Sequence, residues 1–134
     1  MAYKETLLLS NVENEEQFNS IVKSINAMYQ KDKPFWMSIE TQNVRNVHLK
    51  YMYKIGKYLN NVRTKYPKLL QYSYINVYND LVFDLLYTLF TFVSKPIAKV
   101  TVIYYEGGYV STPTREMNKI KKMKEYYPKD MKVS

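Results

Sequence analysis

The segment Asp80 to Ser94 (DLVFDLLYTLFTFVS) is apolar around nearly the whole circumference of a helix, and strand-like runs flank it on both sides. A helix that turns one side to a core needs an apolar stripe roughly 100° wide, so this one must be covered twice or present a face to something else. Only the narrow line Asp84-Thr88-Thr91-Lys95 is polar. The chain must therefore fold so that one side of this helix meets a core and the other meets either a second layer or a partner.

The rest of the pattern supplies one such layer. Glu5 to Val12 (ETLLLSNV) predicts a first strand. Asn14 then serves as N-cap with Gln17 three residues on, and Phe18, Ile21, Val22, Ile25, Met28 and Tyr29 recur at helical spacing until Lys31-Asp32-Lys33-Pro34 stops the run. Phe35 to Thr41 reads as a second strand. A second helix starts near Asn46 and ends before Pro67, with His48, Met52, Ile55, Leu59, Val62 and Tyr66 on one side and Lys50, Lys54, Lys57, Asn61 and Lys65 on the other. Leu70 to Tyr78 is strand three, Asn79 caps the apolar helix, and Lys99 to Tyr105 is strand four. Thr114 to Tyr126 predicts a last helix with Met117, Ile120 and Met123 on one side. Alternating strands and helices imply parallel units with right-handed crossovers. The expected fold is a single small α/β domain, residues 1–110, with a four-stranded, mainly parallel sheet; residues 111–134 form a basic C-terminal helix or tail.

The 134 residues, 46% apolar, suffice for one core without staples, and the absence of cysteine excludes disulfides, thiol nucleophiles and cysteine-ligated metals. No run approaches the roughly 18 apolar residues of a membrane span and the N-terminus lacks signal-peptide features, so a cytoplasmic address is expected. The preference for Lys over Arg, with Asn, Tyr and Ile abundant, matches AT-rich coding of the kind found in some large DNA viruses and protists.

The formal charge of +8 is unevenly placed: no acidic residue falls between Glu40 and Asp80, whereas Arg45, Lys50, Lys54, Lys57, Arg63, Lys65 and Lys68 do. Such asymmetry suits nucleic acid, anionic lipid or an acidic partner, and equally a solvated surface. Tyrosines beside lysines, as in Lys50-Tyr51 and Lys57-Tyr58, fit single-strand binding or an amphipathic core boundary.

Catalysis finds little footing. Three glycines leave no phosphate loop, the lone His48 falls on the apolar side of helix two, and the carboxylates Glu40 and Asp84 are not paired by any visible spacing. No catalytic residue, metal site or cofactor is expected.

Two resemblances follow from particular residues. Ile39-Glu40, Val44-Arg45-Asn46-Val47-His48, the strand Tyr74-Ile75-Asn76-Val77 and then Val82, Leu85 and Leu86 resemble the STAS domain, a fold shared by sulfate transporters and anti-sigma-factor antagonists. The likeness covers Trp36 to Val102, about half the chain, and implies a strand–helix–strand–short helix–strand order. Leu49 and Lys50 stand where that family's switch serine region lies, so a phosphorylation switch is not implied. Lys65-Tyr66-Pro67-Lys68-Leu69-Leu70, with the strand and apolar helix after it, is similar to the core of CRAL-TRIO lipid-exchange domains. There the corresponding helix is a lipid gate.

The leading expectation is a non-enzymatic protein-interaction or scaffolding module that self-associates through helix 80–94, using Phe83, Leu86, Tyr87, Phe90 and Val93; on that reading Phe90→Glu gives a folded monomer. The alternative is a lipid or anionic-membrane binder in which Lys50, Lys54, Lys57 and Lys65 meet headgroups. Nucleic-acid binding ranks below both.

Overall fold

The computed structural model describes residues 2–66, 68–106 and 120–128. β1 (Tyr3–Leu8), β2 (Phe35–Glu40), β3 (Leu70–Val77) and β4 (Lys99–Tyr105) pair in sequential order, all parallel, and β5 (Ile120–Tyr126) adds antiparallel to β4. Between the parallel strands run α1 (Glu15–Gln30), α2 (Leu49–Lys65) and α3 (Asp80–Thr88), the last continued by a single π turn, Leu89–Val93. Among the described residues no helix is long and apolar enough to cross a membrane.

Local chemistry sets the helix starts. The Asn14 side chain accepts from the Gln17 amide at 2.9 Å while the Gln17 side chain accepts from the Glu13 amide at 2.7 Å, a reciprocal arrangement of the capping-box kind. Asn79 accepts from the Val82 amide at 3.0 Å to open α3. His48 is the N-cap residue of α2 and is exposed, not on the helix's apolar side, because the helix begins after Val47 has bridged to Val12.

The expected four strands are five, and the expected last helix is not formed over its described part. Residues 120–126 pair with β4 from Val100–Tyr126 to Tyr105–Ile120, while 114–119 lie outside the described residues. Lys, Met and Glu favour a helix locally, but that preference is worth only tenths of a kcal/mol per residue. The open edge of β4 offers a row of backbone hydrogen bonds, and Tyr126 lies buried with its ring 5.2 Å from Phe90. Tertiary pairing outweighs propensity here.

A sequential parallel order with right-handed crossovers carries every helix to the same side of the sheet. Leu7, Phe35, Met37, Ile75, Val77, Val100 and Val102 point to that side and form the core with Ile25, Met52, Val62, Val82 and Leu89 from the helices. Between the two layers lies an apolar cavity of about 160 Å³, touched by Leu7, Ile25, Met37, Met52, Ile75 and Leu89.

The apolar helix finds most of its second cover inside the molecule. One side packs on β4 and β5 through Phe83 against Tyr104 and Phe90 against Tyr126. Another meets α2, where Gly56 lets Val93 approach so closely that a Cβ at position 56 would stand 2.6 Å from Val93 Cγ1. The π turn widens the helix by one residue, and Ser94 donates its amide to the Leu89 carbonyl at 2.9 Å. Both Leu89 and Phe90 are thereby buried.

Candidate interaction surface on the open face of the sheet

Strand alternation sends every second side chain away from the helices, and the described residues place no helix there. The pairing registers lay these side chains out in rows. Lys4 stands beside Trp36 at one end of the strands, and Tyr72 beside Lys99. Thr6, Ser38, Tyr74, Thr101 and Glu125 form the next row, then Leu8, Glu40, Asn76, Ile103 and Met123. Of these only Thr101 is buried; Leu8 is 65%, Met123 54% and Tyr74 38% exposed.

Aromatic rings dominate two parts of this face. Trp36 and Tyr72 stack at 5.4 Å with planes 16° apart, and Tyr74 meets both edge-on at 5.9 and 5.5 Å. An irregularity in the pairing between Phe35 and Met37 sets Gln71 and Tyr72 opposite Trp36, which brings the first two rings side by side. Farther along, Tyr78 and Tyr105 stack at 5.7 Å. Rings stacked across neighbouring strands stand on the sheet and present edges to solvent, unlike the flat platforms on which bases lie.

Polar contacts on this face are internally matched. Glu40 accepts from the Tyr78 hydroxyl and, at 3.2 Å, from the Asn76 side-chain amide, while the Asn76 carbonyl accepts from Thr41 Oγ1 at 2.7 Å. Lys99 pairs with Glu125 at 2.8 Å, and the ammonium of Lys4 sits 5.6 Å from the Trp36 ring centre. The hydrogen bond with Lys99 draws the Glu125 carboxyl below its ordinary range and lifts the Lys99 amine above its own. Among the described residues no group of His, Asp and Glu is arranged to hold a metal ion.

The residues singled out from sequence fall elsewhere. Phe90 is buried against Tyr126, so it does not lie on an outer surface, and Phe83, Leu86 and Val93 are half-buried against the core. Tyr87 is exposed with Phe92, whose ring centre lies 6.1 Å away. What the apolar helix leaves open is thus Leu81, Tyr87 and Phe92. Among the lysines, Lys54 pairs with Glu15 of α1 and lies over the Phe18 ring, Lys50 and Lys65 lie over Tyr51 and Tyr66, and Lys57 is exposed. Lys54 therefore faces α1, on the side of α2 away from Val93. Glu40 and Asp84 remain apart: Glu40 is on the open face and Asp84 is exposed on α3, the helix side.

No protein-family model matches the chain, and no curated protein or solved structure shows significant similarity to it.

The open face was legible only as an alternation, Tyr72-x-Tyr74-x-Asn76-x-Tyr78. Ser73 and Ile75 between those residues face the core, so the strand reads as two-sided.

Proposed function

We propose that the chain is a non-enzymatic protein-interaction module, and that its contact surface is the open face of the sheet rather than helix 80–94. The observation that carries this reading is the one-sided cover of a mainly parallel sheet. Parallel sheets are almost always covered on both faces, because unpaired apolar strand surface is left otherwise in water. Here the second face carries Trp36, Tyr72, Tyr74, Ile103 and Met123 with no described helix over them. The order β2–α2–β3–α3–β4 is the order that the STAS-like reading of the sequence implies. A photo-crosslinking residue placed at Ser38, in the centre of the open face, is expected to yield a protein adduct in cells, and the same residue at Lys57 on α2 is not. Absence of any adduct from position 38 removes the reading.

A second reading, hydrophobic-ligand binding, is favoured by one observation. The cavity of about 160 Å³ between the layers is lined almost wholly by apolar side chains, close to the roughly 150 Å³ that admits benzene in other proteins. It suits a small apolar molecule or the end of an acyl chain. Co-sedimentation with neutral and with anionic liposomes tests the membrane form of this reading, and binding to neither discards it.

A further inference from the structure

Resting on the open-face reading, we infer that the occupant of that face is a second copy of this chain, packed sheet against sheet about a two-fold axis that runs along the strands.

Charge selects the kind of partner. The molecule carries a formal +8, yet the described residues of the open face hold two lysines, Lys4 and Lys99, and two glutamates, Glu40 and Glu125, for a sum of zero. A nucleic acid or anionic membrane needs a positive face, and an acidic protein gains most from the lysine side of α2. A second copy brings a face that is itself neutral, so the repulsion between two strongly basic molecules is least where these faces meet.

Area is sufficient. Five strands about 4.8 Å apart and six or so residues long at about 3.3 Å each give a flat footprint of roughly 24 by 20 Å. Two such faces bury about 1,000 Å² before the relief of the side chains is counted, the threshold of a specific interface. The ridge Leu81, Tyr87 and Phe92 on the helix side offers three side chains by comparison.

Register favours one arrangement. β3 is the middle strand, so a two-fold axis along the strands lays β3 on β3, β1 on β5 and β2 on β4 of the second copy. Leu8 and Met123, the apolar residues most exposed on opposite edges of the face, then meet each other across the axis. Thr6 comes over Glu125 of the second copy, Trp36 over its Lys99, and the Tyr72–Tyr74 pair over its own equivalent. A two-fold axis across the strands would instead set Trp36 over Glu40, which already accepts two hydrogen bonds. Aligned sheet packing with about 10 Å between layers accommodates standing rings.

Trp36, the single tryptophan, reports directly on this interface. In purified protein, sedimentation is expected to give twice the chain mass of 16.1 kDa, and acrylamide quenching of Trp36 is expected to rise on dilution in step with dissociation. Tyr74→Glu sets two like charges at the centre and is expected to weaken association at least about 100-fold, whereas Phe92→Glu leaves it unchanged; circular dichroism checks that both fold. As a second probe at the rim, Leu8→Glu and Met123→Lys are each expected to weaken self-association, and mixing the two variants is expected to restore a heterodimer. A native chain still monomeric at about 1 mM, a dimer in which Trp36 is quenched as freely as in the monomer, a dimer broken by Phe92→Glu instead, or a mixture with no heterodimer preference overturns the inference. A monomer in solution together with a Ser38 adduct of another mass in cells overturns the second copy alone and keeps the open face as a contact surface. No adduct at Ser38 removes both.

Discussion

Gly56→Ala tests how the apolar helix obtains its second cover. The new Cβ would lie 2.6 Å from Val93 Cγ1, 3.4 Å from Ser94 Cβ and 3.6 Å from Leu89 Cδ1. The first distance falls about 0.8 Å short of ordinary contact at 3.4 Å, and the obstructing methyl belongs to a β-branched side chain with little freedom at χ1. Overpacking costs about 1–3 kcal/mol, and a shortfall this large against a stiff side chain falls in the upper half of that range, about 2–3 kcal/mol. Against it stands the gain of about 1 kcal/mol when alanine replaces glycine within a helix. The net expectation is a loss of about 1–2 kcal/mol, which lowers the thermal midpoint by roughly 3–10 °C for a chain of this size. Urea denaturation should show the midpoint falling with an unchanged slope. Val93→Ala removes the obstructing methyl, so the double variant should be more stable than the sum of the two single losses by about 1 kcal/mol. A Gly56→Ala protein as stable as the native one, or more so, refutes the close crossing of α2 and the π turn.

Other outcomes follow from the same packing. Phe90→Glu is expected to unfold the protein rather than release a folded monomer, and Phe90→Ala to cost about 3–5 kcal/mol in chemical denaturation, because Phe90 is buried on Tyr126. Asn79→Ala removes the acceptor for the Val82 amide and should cost about 1 kcal/mol, with Asn79→Asp retaining most of the stability. Burial pushes the Tyr29 hydroxyl up to about 12 and raises that of Tyr58 as well. The neutral forms are thus favoured in the folded state. This stability is fully present below the unfolded value near 10 and is lost as pH rises from there through about 12. Near-ultraviolet tyrosinate absorbance should show these rings titrating late and together with loss of circular dichroism; a single smooth titration in the folded protein speaks against their burial.

Much of the chain was legible because the relevant physics is local. Asn14 and Asn79 cap where a short acceptor precedes a helical run, and β4 spans Lys99–Tyr105 as its alternation implies. The helices α1 and α2 follow the period of their apolar positions, and prolines mark their ends. Two elements were not legible in this way. In residues 120–126 the helix-forming lysines and Met123 say nothing of the vacant edge of β4, which lies far away in sequence. In Asp80 to Ser94 the apolar residues look alike, and only the placement of β4, β5 and Gly56 determines that Phe90 turns inward and Phe92, at 73%, outward.

The sequence by itself determined an α/β chain: the alternation of strands and helices, their caps and most of their ends, and the absence of cysteine chemistry. Those properties arise within one turn of helix or a few residues of strand. Tertiary structure alone decided that the strands lie in sequential order, so that right-handed crossovers stack every helix on one side. That order covers the apolar helix with α2 and β5 and leaves the ring-rich face of the sheet without a helix among the described residues. A strand's pattern records that it has two faces, but which face meets helices depends on strand order, and no single strand carries that information.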